Sequence, residues 1–147
     1  DEVFHQELSK QRLFETIRVS PEQMKALFGK QRFSSSGQLP ETFLSDIETA
    51  TGANGILLVD LDSYRAYKPL ALGVRAKLVD AKSADFLWAI DEIFDAGQPN
   101  IILAANQFQR KVQVNNISAR TSGSTTASPR TFAKFVANCT FSTLPIR

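Results

Sequence analysis

The chain has 147 residues, 43% hydrophobic and 22% charged, with a formal net charge of +2. That length and mix predict one domain with a proper core, and acids and bases interleave without the basic run of a nucleic-acid tail. No apolar run approaches a membrane span, and the single cysteine, Cys139, excludes an intrachain disulfide and a cysteine-rich metal site.

Taken in order, residues 2 to 12 predict a helix with Val3, Phe4 and Leu8 on one face. Its first turn has no capping residue beyond Asp1, and no methionine precedes it. The expectation is a mature or trimmed form whose first strand lies upstream. Phe14 to Val19 alternates and is rich in β-formers, so it predicts a strand. Ser20-Pro-Glu-Gln23 is a helix start: Ser20 can accept from the Gln23 amide, Pro21 lacks only an N–H that would be orphaned anyway, and Gln23 can reach back. Met24, Leu27 and Phe28 should face inward, with Gly29 as the stop. A serine-rich loop over 31 to 38 leads to Pro40 and a second helix whose Phe43, Leu44, Ile47 and Ala50 form a stripe. Gly52 ends it.

Residues 55 to 96 then read as three consecutive antiparallel strands. Val59, Leu61, Val74, Ala76 and Leu78 have the period of a pleated face. Tyr67-Lys-Pro69 and Asp80-Ala-Lys-Ser83 supply turns. Pairing Arg65 with Leu70 sets Leu57 against Leu78, Val59 against Ala76 and Leu61 against Val74 on one face. The same register sets Asp60 against Arg75 and Asp62 against Gly73 on the other. A one-residue slip would spoil both faces. Beyond the meander, Pro99 opens a helix carrying Ile101, Ile102, Ala105 and Phe108 to about Val114. Asn115 to Ser128 is polar and predicts a mobile loop. Ser128-Pro129 starts a last helix that buries Phe132, Phe135, Val136 and Cys139 before Leu144-Pro145 stops it.

Chemistry-bearing residues are sparse. His5 has no partner motif and reads as an exposed helix residue; Cys139, on an apolar helix face, reads as an inert thiol. With one His and one Cys, a metal would need Asp60, Asp62, Asp91 and Glu92 alone, and neither metal nor cofactor is expected. Asp60 and Asp62 share a strand face with Arg75 and Lys77 of the neighbouring strand. Cross-strand ion pairs explain that pattern without a substrate. Gly52-Ala-Asn-Gly55 leads from helix into strand, the reverse of a phosphate loop. The hairpin tip carries Tyr64, Tyr67 and Pro69, candidates for a partner contact. Trp88 and Phe94 are candidates for the same exposed aromatic set, although packing of Trp88 under a helix with Phe86 and Ile90 is the favoured expectation. Strict alternation turns Glu92 inward, which a bulge near Asp91 or an edge position would relieve.

Thr51-Gly-Ala53, Gly55-Ile-Leu-Leu-Val-Asp-Leu61, Leu72-Gly-Val-Arg-Ala-Lys-Leu-Val-Asp80 and Phe86-Leu-Trp-Ala-Ile-Asp91 together resemble bacterial envelope lipoproteins. The relatives are the TolB amino-terminal domain and the curli-secretion and Pel-polysaccharide export lipoproteins. The resemblance covers residues 3 to 112, and Val79-Asp-Ala81 with Leu87-Trp88 is its most specific part. Ser128-Pro-Arg-Thr-Phe-Ala133 and Thr143-Leu-Pro145 resemble the tail of small lipoproteins of this type. It implies an α/β domain with helices on one mixed sheet and attachment to the periplasmic side of the outer membrane through an upstream lipidated cysteine. It further implies a non-enzymatic assembly or export role through protein partners, including homo-oligomers. No membrane-spanning hairpin like that of the curli pore is present, which argues against a pore. The expectation is therefore a single α/β domain over residues 1 to 147 with a three-stranded antiparallel meander, acting as an envelope scaffold. The rival is a ligand-binding or hydrolytic domain using Asp60, Asp62, Arg75 and Asp91, with the Asn115–Ser128 loop as a lid.

Overall fold

A computed structural model describes residues 2 to 115 and 124 to 145. The order is α1 (Glu2–Lys10), α2 (Pro21–Phe28), α3 (Phe43–Thr51), β1 (Gly55–Arg65), β2 (Ala71–Asp80), β3 (Phe86–Asp95), α4 (Pro99–Asn115) and α5 (Pro129–Phe141). The class is mixed α and β, with five helices and one three-stranded antiparallel sheet, in the order β1-β2-β3, among the described residues.

The hairpin register is the one that two-faced alternation demands. Leu57 faces Leu78, Val59 faces Ala76, Asp60 faces Arg75, Leu61 faces Val74 and Asp62 faces Gly73. It departs at the tip, where Arg65 pairs with Ala71 and not with Leu70. Ser63 and Tyr64 together oppose Leu72, a bulge made by Ser63 at φ 48°. Leu70 is freed to enter the core.

On the inner face, Leu70, Leu72, Val74 and Ala76 of β2 join Phe132, Phe135, Val136, Ala137 and Phe141 of α5. Phe135 is the hub. Its ring centroid lies 6.2 Å from Phe94, 5.8 Å from Phe108 and 5.9 Å from Phe132. α1 packs on α5, with Phe4 edge-on to Phe141 at 5.9 Å. Ile56 of β1 points the other way, into a second cluster with Phe43, Ile47 and Ala81. There Phe28 stacks on Phe43 at 4.9 Å, with Phe33 closing the group. α2 and α3 thus cover one edge of the outer face.

Helix ends follow their residues. Ser20 and Gln23 form the full capping box, and Gly29 and Gly52 close α2 and α3 in the left-handed conformation. Ser128 holds the N-cap position of α5, but its side chain makes no capping bond. Of the expected mobile segment, Asn115 ends α4, and residues 116 to 123 lie outside the described residues. Thr125 is buried, its amide donating to Gln109 Oε1 at 3.1 Å.

Several expectations are corrected. Phe14 to Val19 is not a strand: no neighbouring strand accepts it, so β-propensity and alternation have no ladder to join. Among the described residues the sheet is therefore purely antiparallel and not mixed. Leu13 packs with the inner core and Val19 with the outer cluster, so this strap carries the chain from one face to the other. Leu27, Ala50 and Ile102 are exposed, because each helix is covered along a narrower stripe than its sequence offers. Phe86 leaves the Trp88–Ile90 face. Val79 pairs with Phe86 while Leu78 pairs with Trp88, so Leu87 is an extra residue that inverts the alternation.

Replacing the hub, Phe135→Ala, should cost about 3–5 kcal/mol through lost burial and a residual cavity. Equilibrium denaturation with urea measures the loss.

Candidate functional site

The row Asp60–Arg75–Asp91 crosses all three strands on the outer face. Each member has a local task. Asp60 Oδ2 accepts from Ser34 Oγ at 2.8 Å, the Ser35 amide at 2.7 Å and Ser35 Oγ at 2.7 Å. Burial pushes the Asp60 carboxyl up, but the Ser35 and Ser34 hydroxyls, the Ser35 amide and nearby Arg75 outweigh it, and the net shift is downward. Arg75 Nε donates to Asp91 Oδ2 at 2.8 Å, and its Nη1 reaches Ser36 Oγ at 3.4 Å. The bond to Asp91 raises the guanidinium further.

Asp62 and Lys77 flank this row. Asp62 lies against Gly73, where a Cβ would meet Asp62 Oδ1 at 2.0 Å, so the glycine permits the close approach. Lys77 Nζ sits 5.6 Å from the centroid of the exposed Phe86 ring. The face expected from sequence is assembled, but its carboxylates serve as anchors. Asp60 ties down the serine loop and Asp91 holds Arg75. Among the described residues, no group of three or more His, Cys, Asp or Glu side chains could hold a metal.

The hairpin tip is different. Tyr64 and Tyr67 are 64% and 73% exposed. Arg65, between them in sequence, donates through Nη2 to Asp95 Oδ1 at 2.8 Å and through Nε to the Pro69 carbonyl. The Gly97 amide also donates to Asp95 Oδ1, at 2.8 Å. That amide, then Arg65 against the opposing effect of burial, holds the Asp95 carboxyl below its usual value. Pro69 contacts this junction: a Cβ on Gly97 would meet its Cγ at 3.4 Å. The tip therefore presents two aromatic rings on a braced loop.

The remaining aromatics separate. Trp88 packs against the inner core and its Nε1 donates to Thr143 Oγ1 at 3.1 Å, while Phe94 leans on Phe135. Glu92 faces Val74 on the helix side yet is exposed, because β3 is an edge strand. The edge position relieves it, with no bulge at Asp91. His5 is not an exposed helix residue: it is half-buried, and its Nε2 is sequestered without a hydrogen-bond partner. Cys139 is half-buried against the core, and burial pushes its thiol up despite Lys111 nearby. The Ser34–Ser36 anchor was missed in sequence, though three consecutive serines opposite an acidic strand were its visible trace.

Two shallow depressions, of about 300 and 270 Å³, are lined by none of the residues of either constellation. One is lined by Arg110, Lys111, Val114 and Asn115, the other by Phe28, Lys30, Phe33, Gln38, Leu39 and Pro40. No family model matches this chain, and comparison with curated proteins and with solved structures gives no significant match.

Because the folded Asp60 carboxyl lies below its ordinary value of 3.8, its stabilisation is complete above that pH and is lost as pH falls through the lower folded value. The stability difference between the wild type and Asp60→Asn should therefore be flat at neutral pH and shrink in acid, as read by urea midpoints across a pH series. Gly73→Ala should cost about 1–3 kcal/mol by forcing Asp62 aside. Adding Asp62→Ala should recover most of that loss in thermal melts.

Proposed function

We propose that this domain is a non-enzymatic assembly or scaffold component of a bacterial cell envelope, acting through protein contacts made by its hairpin tip. The braced, exposed pair Tyr64 and Tyr67 carries this reading. Tyrosine supplies large contact area at low entropic cost, and rings held on a rigid loop lose little freedom when a partner covers them. Pro69 and the Arg65–Asp95 pair belong to the same surface as its supports.

The envelope setting rests on the resemblance to the TolB amino-terminal domain and the curli-secretion and Pel-export lipoproteins. On that reading the fold is of the TolB amino-terminal type, the domain is periplasmic, and a lipidated cysteine upstream of Asp1 holds it to the outer membrane. Its partners are proteins, including further copies of itself. Neither cofactor nor nucleic acid enters the reading. Among the described residues no helix is long and apolar enough to cross a membrane, so contact with the bilayer is assigned to the anchor. The rival ligand-binding or hydrolytic reading has less support, since Asp60 and Asp91 are committed to Ser34, Ser35 and Arg75.

A photo-crosslinking residue at position 67, placed in the native cells, should give a discrete protein adduct in the envelope fraction. The same group at Glu22, on the far lobe, should not. Adducts from both positions alike, or from neither, would contradict a partner surface at the tip.

A further inference from the structure

Two features lack partners among the described residues, and each supplies what the other lacks. The first is the outer edge of β3. Among the described residues β3 pairs only with β2, and no backbone–backbone hydrogen bond reaches its far side. The strand holds three acids, Asp91, Glu92 and Asp95, and no base. Asp91 and Asp95 are paired with Arg75 and Arg65, while Glu92 is exposed. Beside it, Ile93 is 57% exposed on the opposite face of the strand. An unpaired edge of this length is a template for another strand.

The second feature is the strap from Arg12 to Val19. Its alternation and its Phe, Thr, Ile and Val content suit a strand, yet among the described residues it pairs with none. Leu13 and Val19 tether its ends to the two cores, and between them Phe14 and Ile17 are 41% and 58% exposed. Arg18, next to Ile17, is exposed and makes no ion pair among those in the described residues.

We infer that the strap of one copy adds to the free edge of β3 of a second copy, so that the domain self-associates head to tail. The inference rests on the reading that the domain acts through protein contacts, and it locates one such contact. An antiparallel register that sets Ile17 on Ile93 also sets Arg18 on Glu92. At these two central positions apolar meets apolar on one face and opposite charges meet on the other, which is the condition for cross-strand stabilisation. A symmetric alternative, β3 on β3, would bring acids against acids. Because the two surfaces differ, the contact is heterologous and the pair retains one free strap and one free edge. The matched span runs only from Thr16 to Arg18, since Val19 would fall opposite Asp91 and Glu15 opposite Asp95. Association is accordingly weak and concentration-dependent.

The test is light scattering across a concentration series of the purified chain. The wild type should rise above the monomer mass. Ile17→Lys and Ile93→Lys, both at exposed positions, should each stay monomeric with unchanged thermal melts. An equimolar mixture of the two should form a 1:1 dimer and nothing larger, because one intact strap meets one intact edge while lysine opposes lysine at the remaining pair. As a second measure, Arg18→Glu should weaken association about fivefold, and Glu92→Arg in the same chain should restore it. A wild type that is monomeric throughout overturns this interface and leaves the hairpin tip free for a different protein. Association that survives both lysine variants, or a mixture that yields no dimer, also overturns it. Association abolished only by Tyr64→Ser with Tyr67→Ser overturns it and moves self-contact to the tip.

Discussion

The structure depends on the register between β1 and β2. Among the described residues β2 is the only strand paired on both sides, and it is buried along most of its length. Its inner residues, Leu72, Val74 and Ala76, form the floor against which α5 packs. Ile56 and Leu58 of its partner point oppositely, into the cluster under α2 and α3. A slip of one residue would turn Arg75 and Lys77 toward Phe135 and turn Val74 and Ala76 to solvent. Burial of apolar surface on both sides of one sheet is thus what fixes the alignment, and the outer charged row follows from it.

That charged row looks like a site and behaves as a joint. Three donors converge on one oxygen of Asp60, and Arg75 spans from Asp91 to Ser36. The joint links the serine loop to the middle of the sheet. Hydrogen bonds to a charged acceptor are stronger than neutral ones, which explains why a polar cluster can pin a loop that has little apolar surface of its own. What projects beyond this framework is the hairpin tip with Tyr64 and Tyr67, together with the open flank of β3. The functional reading is placed there because those surfaces are presented by the fold without being consumed by it.

Much of this was legible in the residues. The three strands, the hairpin pairing up to Asp62, the Ser20–Gln23 box and the glycine stops all rest on local rules that the structure obeys. The failures have a shared cause, which is that sequence alternation does not count neighbours. Phe14 to Val19 has the pattern of a strand but no ladder to join. Glu92, by contrast, obeys the alternation and is relieved by the edge position, one of the two outcomes its sequence allowed. Single inserted residues were also invisible: Ser63 moves the partner of Arg65, and Leu87 sends Phe86 to the opposite face from Trp88. Each bulge follows from how the sheet twists and closes, which no window of a few residues encodes. At the tip, the exposed tyrosines were legible, but the brace from Arg65 to Asp95 spans thirty residues and appears only with the third strand in place.

The most direct test of the account is a set of cross-strand proton contacts measured by nuclear Overhauser spectroscopy in solution. The structure requires backbone contacts linking Val59 with Ala76 and Ala76 with Ile90, together with Asp60, Arg75 and Asp91 in one row. It also requires Phe86 to contact Lys77 and not the ring of Trp88. Contacts shifted by one residue, such as Val59 with Arg75, would contradict the register and with it both faces of the sheet.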